Sequence, residues 1–210
     1  MPKETFNNLK NEKKERIKKG LIDVFGSLGY DQTTVSTIIK ACDIPRGSFY
    51  QYFEDKFDAF YYIILEIQSE KMKYLEPLTS KIGQIPFLDL YVDLFDQGIE
   101  FAFKHPDAFK IGQILYKSHS YEMERLWASF EDLAMNYYCE LLKIDQKAGN
   151  IRKDVNIEMV ARILYRLNSV DIVEEFIKGK DKEALLKIAV DSVKILKDGI
   201  KELNNEKESI

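Results

Sequence analysis

The stretch RGSFYQYFEDK, residues 46–56, gathers small and hydrogen-bonding side chains within a few helical turns. These residues are Arg46, Gly47, Ser48, Tyr50, Tyr52 and Lys56. An arginine can bind a guanine or a phosphate through two donors, and serine and tyrosine hydroxyls donate to phosphate oxygens. A glycine allows another molecule to approach the backbone closely. This chemistry is typical of binding to a phosphate backbone and to base edges.

Residues that could carry out catalysis or bind a metal do not form a recognisable pattern. Neither a nucleophile elbow nor a phosphate-binding loop occurs, and no histidine pairs with a carboxylate motif. The two histidines, His105 and His119, are at predicted helix starts, and Cys42 and Cys139 are far apart without a CxxC pattern. A row of four carboxylates on the fifth predicted helix lies opposite its apolar residues, as on a solvated face. We therefore expect no enzyme activity, no metal and no cofactor.

Composition and charge distribution are typical of a globular protein with a basic leading segment. The 210 residues are 45% hydrophobic, and the net charge is −4. Residues 1–56 carry a net charge of +2 and the remainder carries −6. No segment approaches the roughly 18 apolar residues of a membrane span, and the first residues are too polar for a signal peptide. We expect a cytoplasmic protein that does not bind membranes.

Helical periodicity predicts an all-α fold of about nine helices. The first covers about residues 10–28 and stops at Gly29, and the second begins after Thr34 as its N-cap. The third is short and ends near Tyr52. The fourth begins near residue 55 and should end before Pro77, because proline lacks a backbone donor. The last two cover about residues 156–178 and 181–203.

The second and third predicted helices are joined by about four residues, as in a helix-turn-helix. In that geometry Phe49 and Phe53 pack inward with Ile38 and Ile44. The polar side chains of the third helix then face outward or lie at the rim. The helix-turn-helix presents this helix to the major groove of DNA.

Residues 17–60 resemble the DNA-binding region of TetR/AcrR-family regulators. The resemblance is carried by FGSLGYDQTTVSTIIKACDIPRGSFYQYFEDKFDAF and covers about a quarter of the chain. The matching positions are Phe25, Gly29, Tyr30, Thr33, Thr34, Val35, Ile38, Ala41, Ile44, Gly47, Phe49, Tyr50, Tyr52, Phe53 and Lys56. Three positions depart from the usual pattern: Thr37 replaces an acidic residue, Asp43 a glycine and Pro45 a serine. The last change removes one expected phosphate contact.

The resemblance implies roles for individual residues and a division into two domains. Residues 1–54 would form a three-helix DNA-binding domain, and residues 55–210 a larger helical domain for effector binding and dimerisation. The expected phosphate contacts are Thr34, Tyr50, Tyr52 and Lys56, and the expected base contacts are Arg46, Ser48 and Gln51. Two alternatives stay open: Tyr50 as partly a core residue, and Lys56 as a cap of the fourth helix. The lysines at positions 10, 13 and 14 either reach the DNA or are only solvated.

Nineteen of the 26 aromatic residues follow residue 56. Such density indicates either an ordinary core or the lining of a cavity. The resemblance favours a cavity for a small lipophilic effector. The candidate ligand contacts on apolar rows are Tyr61, Tyr91, Phe95, Phe109, Trp127, Phe130 and Tyr137, and Gln68 and Asn168 are the candidate polar contacts.

By this resemblance the chain is a one-component transcriptional regulator, more often a repressor in this family. It would bind a palindromic double-stranded operator as a homodimer, and a small apolar effector would release it. The alternative is a TetR-like adaptor or co-activator controlled by a protein partner. A cavity with aromatic walls favours the regulator, and a filled core with an exposed apolar patch favours the adaptor.

The eighth and ninth predicted helices carry more apolar surface than one small body can bury, so we expect them to form an isologous four-helix interface between two copies. Light scattering at micromolar concentration should report the mass of a dimer, twice the 24.6 kDa chain. A monomer under these conditions would contradict this assembly.

Overall fold

The structure is a computed structural model that describes residues 2–200, and within that range every regular element is helical. The helices are α1 (Glu4–Asn7), α2 (Asn11–Gln32), α3 (Val35–Cys42), α4 (Arg46–Tyr52), α5 (Lys56–Thr79), α6 (Phe87–Lys104), α7 (Pro106–Lys117), α8 (Tyr121–Lys147), α9 (Ile157–Arg166), α10 (Ile172–Ile177) and α11 (Lys182–Ile200). A π-helical turn, Leu167–Asp171, connects α9 to α10. The all-α prediction is confirmed. Over residues 2–200 no helix combines the length and apolarity needed to cross a bilayer.

The chain divides into two compact units. The first contains the described residues up to Lys73 together with Phe101–Ala128, and the second contains Tyr74–Glu100 together with the described chain from Ser129 onward. The first unit therefore includes α1 to α4, most of α5, α7 and the beginning of α8. The predicted boundary after residue 54 stays a prediction.

In the first unit, α2 and α3 approach each other closely at Gly20. A Cβ atom at Gly20 would lie 2.7 Å from the carbonyl oxygen of Ala41 and 2.9 Å from the Cα of Cys42. Because real side chains do not tolerate such distances, this crossing requires glycine. Around it, Ile17, Leu21 and Ile38 are completely buried.

Local structure defines both the start of α3 and the turn that joins it to α4. The Thr34 hydroxyl accepts from the Thr37 backbone N–H at 3.2 Å, and the Thr37 hydroxyl accepts from the Thr34 N–H at 3.0 Å. This reciprocal cap usually uses an acidic residue at the second position. Asp43 ends α3 in the left-handed region (φ 50°), and Pro45 precedes α4 in an extended conformation. All three departures from the family pattern are thus compatible with the turn.

Helix α5 continues through Pro77 to Thr79, so the predicted end before Pro77 was wrong. Pro77 lies in the last turn, where a missing N–H removes only one intrahelical bond. Leu75 and Leu78 on either side of it are buried. Their packing offsets the loss and keeps the helix formed. The predicted helix of residues 156–178 is divided by the π-helical turn, and the predicted end near Leu203 lies outside the described residues.

In the second unit, ion pairs join α6 to α11. Lys182 lies 3.0 Å from Asp96 and 3.4 Å from Glu100, and Lys197 pairs with Asp89. The carboxylate row predicted on this helix consists of Asp89, Asp93, Asp96 and Glu100. Three of these four carboxylates therefore have lysine partners. Between residues 2 and 200, no cluster of three or more histidine, cysteine or acidic side chains is suited to a metal ion.

The close contact at Gly20 predicts that alanine lowers stability there but not at Gly112, a glycine of α7 with open space around it. Gly20→Ala should lower the free energy of unfolding by about 1–3 kcal/mol, because the new methyl group meets backbone atoms that cannot move independently. The matched control is Gly112→Ala in α7, where nothing lies within 4 Å of the added atom. We expect the control to be neutral or more stable by up to about 1 kcal/mol. Urea unfolding of the two variants measures both effects, and equal stability would contradict the close approach.

Candidate nucleic-acid interface

The outward side of α4 carries the predicted DNA contacts. Arg46, Gly47 and Gln51 are exposed, Ser48 is half-buried, and Tyr50 retains 43% of its accessible surface. On the opposite side, Phe49 and Phe53 are completely buried. The core thus sets the rotation of α4, and its polar side chains face solvent.

Arg46 and Tyr50 lie one turn apart and contact each other. The guanidinium carbon is 5.8 Å from the centroid of the Tyr50 ring, within the range of a cation–π interaction. The Tyr50 ring also packs edge-on against Phe49, with centroids 5.2 Å apart. Tyr50 is therefore anchored at its base while its hydroxyl end is exposed.

Tyr52 is buried, with only 3% of its surface accessible, although the sequence had indicated an outward or rim position. The reason is the side chain of Phe6, whose ring packs edge-on against Tyr52 at 5.8 Å. The Tyr52 hydroxyl accepts a hydrogen bond from Lys13 Nζ at 3.0 Å. Because this hydroxyl accepts from Lys13, its own proton can be donated to a further acceptor.

Helix α1, which periodicity did not predict, packs against the end of α4. Phe6 is 1% exposed and contacts Phe53 and Tyr62 in addition to Tyr52, with ring centroids 5.1 Å apart in both pairs. The Lys3 backbone N–H donates to the Tyr52 carbonyl at 2.8 Å, and Lys3 Nζ donates to the Tyr50 carbonyl at 3.1 Å. These donors satisfy carbonyls that the last turn of a helix leaves free. The sequence signal for this contact was Phe6, an aromatic residue in a mostly polar segment.

Lys56 connects the start of α5 to the end of α2. Its Nζ donates to the Tyr30 carbonyl at 3.0 Å and lies 4.1 Å from the centroid of the Tyr30 ring. Two of its three donors are left by this hydrogen bond. Burial, followed by the charge of Glu122, raises the pKa of Tyr30, so this phenol stays neutral. Thr34 is exposed, and its hydroxyl forms the cap of α3.

In the second unit, the candidate ligand contacts meet around Tyr138, a residue that the sequence analysis did not select. The Tyr138 ring lies 6.0 Å from Tyr91, and Phe95 stacks on the other side of Tyr91 at 6.4 Å. Asn168 hydrogen-bonds the Tyr138 phenol. Burial raises the pKa of Tyr138 to about 12, and the Asn168 hydrogen bond partly opposes this shift. The cluster is therefore neutral and tightly packed.

The edges of this cluster are more accessible. Tyr137 contacts Tyr138 at 6.5 Å but is 47% exposed. Elsewhere on α8, the candidate Phe130 is half-buried. The Tyr91 hydroxyl donates to the Leu164 carbonyl at 2.8 Å. The π-helical turn that carries Asn168 has the wider geometry often found at functional sites.

In the first unit, two of the candidate ligand contacts pack against other aromatic side chains. Tyr61 stacks on Phe57 with centroids 6.0 Å apart, and Trp127 packs edge-on against Tyr116 at 5.8 Å. Phe109 is half-buried. Gln68 is exposed, so its expected inward position is not observed.

Two surface cavities of the described chain contain none of the candidate ligand contacts. One, of about 220 Å³, lies in the second unit beside residues 82–87 and the end of α8. The other, of about 310 Å³, lies in the first unit between the end of α2 and α7. The aromatic side chains around Tyr138 are thus packed against one another in this conformation.

Comparisons with known proteins agree with this architecture. Residues 19–58 match the family described as "Bacterial regulatory proteins, tetR family". The chain is 46% identical over 46 residues to the uncharacterized HTH-type transcriptional regulator YerO of Bacillus subtilis strain 168, which is 22% of this chain and 16% of that protein. It is 26% identical over 144 residues to the probable acrEF/envCD operon repressor of Escherichia coli strain K12, which is 67% of this chain and 65% of that protein.

Solved structures share the fold over nearly the whole chain. A TetR-family regulator from Syntrophomonas wolfei superposes with a TM-score of 0.74 at 19% identity, covering 92% of this chain and 98% of that one. The SmeT–triclosan complex gives a TM-score of 0.76 at 15% identity, covering 92% and 94%. FadR from Bacillus subtilis, in complex with stearoyl-CoA, gives 0.69 at 16% identity, covering 89% and 98%.

The helix-turn-helix of α3 and α4 has an exposed polar second helix and is followed by a larger helical region. The family match at residues 19–58 lies on this helix-turn-helix. Residues 19–58 thus match the DNA-binding region of the TetR family, and the chain shares the fold of solved TetR-family structures.

Proposed function

We propose that this chain is a transcriptional regulator that binds a palindromic operator as a homodimer and is released by a small apolar effector. The observation that carries the proposal is the polar face of α4, held outward by Phe49 and Phe53. The name of the Escherichia coli relative, a probable operon repressor, supports repression. The complexes of SmeT with triclosan and of FadR with stearoyl-CoA support an apolar effector.

On α4, Arg46, Ser48 and Gln51 would read bases, and Tyr50 would bind a phosphate. Tyr52 would contact a phosphate through its remaining proton, assisted by the ammonium of Lys13, 3.0 Å from the hydroxyl. This pairing combines a hydroxyl donor with a positive charge.

Outside α4, Thr34 and Lys56 would contact phosphates. The hydroxyl of Thr34 already caps α3, so a phosphate would share that oxygen with the cap. Lys56 keeps two donors beyond its bond to the Tyr30 carbonyl.

Exposed apolar side chains on α9 and α11 support dimerisation. Met159 and Ile163 on α9 are 52% and 42% exposed, and Val190 and Ile195 on α11 are 40% and 74% exposed. Large apolar side chains in such numbers on neighbouring segments favour burial against a second copy. A twofold interface would present two α4 helices to an inverted-repeat site.

Selection from random-sequence duplex DNA tests the function. The chain should enrich an inverted repeat, because two identical helices read two half-sites. Arg46→Ala should relax base choice within each half-site, at a cost of roughly 1–3 kcal/mol in affinity. The charge-matched control Lys153→Ala, an exposed lysine of the second unit, should leave the consensus unchanged. Failure of the unaltered chain to enrich any sequence would remove the regulator proposal.

Gly47 offers a second test, because the protein itself does not need glycine there. No atom lies within 4 Å of a Cβ added at Gly47, and its φ is not positive. Gly47→Ala should therefore keep or raise stability by up to about 1 kcal/mol. If the α4 backbone approaches DNA closely, the same methyl group should weaken operator binding on the order of tenfold. Unchanged affinity would show that this part of α4 stays away from the DNA.

The adaptor alternative has one observation of its own. Leu133, Tyr137 and Ile144 on α8 are 66%, 47% and 49% exposed, and their spacing of four and seven residues places them on one face. Such a face suits a protein partner. Absence of sequence-specific DNA binding together with a folded, stable chain would favour this alternative.

A further inference from the structure

Lys71 interrupts the apolar face of α5. Eleven residues, close to three helical turns, separate it from Phe60, so both side chains project in nearly the same direction. The residues of α5 that share this face are buried or half-buried: Phe60, Ile63, Ile64, Ile67, Leu75 and Leu78. Along this face, apolar residues precede Lys71 from Phe60 to Ile67 and follow it at Leu75 and Leu78. Within that stretch of the face, Lys71 is the one cation.

The ammonium of Lys71 has no counter-charge in the described chain. No hydrogen bond or ion pair joins it to another residue between positions 2 and 200, and burial alone lowers its pKa. Its neighbour Glu70 is engaged by Lys18 of α2, which also lies 3.4 Å from Glu66. The nearby carboxylates of α5 therefore lie on another side of the helix.

This arrangement is costly for the fold alone. A charged group that leaves water requires a partner or a route back to solvent. Lys71 as a whole residue is half-buried, and burial of its ammonium lowers the pKa of that group. Glu66 and Glu70, the carboxylates that precede Lys71 on α5, pair with Lys18, and no charged group of the described chain acts on the Lys71 ammonium.

We propose that Lys71 binds the carboxylate of an amphiphilic ligand whose apolar part lies along Ile64 and Ile67 of α5. The site deepens the proposed function, on which its regulatory role rests, by assigning an anionic head group to the effector. Seven residues separate Ile64 from Lys71, a rise of about 10 Å. That distance suits the tail of a medium-chain carboxylate, whose carboxylate also matches the ammonium electrostatically.

The test compares three ligands with the same ten-carbon tail: decanoate, decanol and decyltrimethylammonium. Calorimetry or Trp127 fluorescence with the full chain should give saturable binding of decanoate, at least about tenfold tighter than decanol. Decyltrimethylammonium should bind most weakly. Lys71→Met, which keeps an unbranched side chain, should bring decanoate and decanol to within about threefold of each other.

Two further variants control for a general loss of positive charge and for the change in side-chain polarity. Lys73→Met removes an exposed lysine two residues away and should leave the preference for decanoate intact. Lys71→Gln removes the charge while keeping a polar side chain, and it should lose the preference as Lys71→Met does. Urea unfolding should show that all variants fold.

Three outcomes would overturn the site: no saturable binding of decanoate, equal binding of the three ligands, or a preference that persists without Lys71. A separate measurement, of operator affinity with and without decanoate, tests the proposed function. If decanoate binds through Lys71 but leaves operator affinity unchanged, the site stands and its role as effector site is lost. If decanoate lowers operator affinity only when Lys71 is present, both proposals gain support.

Discussion

The aromatic contact between Phe6 and the end of α4 holds α4 and its polar outer side in place. Phe6 touches Tyr52, Phe53 and Tyr62, so it joins α1, α4 and α5 in one buried cluster. A helix of seven residues has little stability by itself, because helix nucleation is unfavourable. The orientation of α4 must therefore come from what it packs against. The outward position of Arg46 follows from this inner packing.

Lysine side chains reinforce the same region and belong to its proposed chemistry. Lys3, Lys13 and Lys56 each donate to an oxygen within the helix-turn-helix or at its edge. Each ammonium has three donors and uses one of them in the hydrogen bond given. A phosphate could thus be bound without breaking these contacts, so the free protein would be largely organised for DNA. Little ordering cost would then remain for binding.

The aromatic cluster around Tyr138 and the lysine at position 71 differ in how well the protein itself satisfies their polar groups. In the cluster around Tyr138, the Tyr91 phenol donates to the Leu164 carbonyl, and Asn168 hydrogen-bonds the buried Tyr138 phenol. That cluster stabilises the second unit as it stands, and an effector would have to displace side chains to enter it. Lys71 differs because its burial is uncompensated within the described chain. An anionic ligand would supply the counter-charge that the Lys71 ammonium lacks within the described chain.

The sequence by itself determined most of the helices and the turn between α3 and α4. Their signals are local: the Thr34 cap and the turn conformation of Asp43 depend on residues within a few positions. The tertiary structure decided which side chains are buried. Tyr52 is covered by Phe6, 46 residues earlier, and α5 continues past Pro77 because its neighbours are buried. Periodicity describes one helix, whereas burial depends on which other helix packs against it, and that information is distributed over distant parts of the chain.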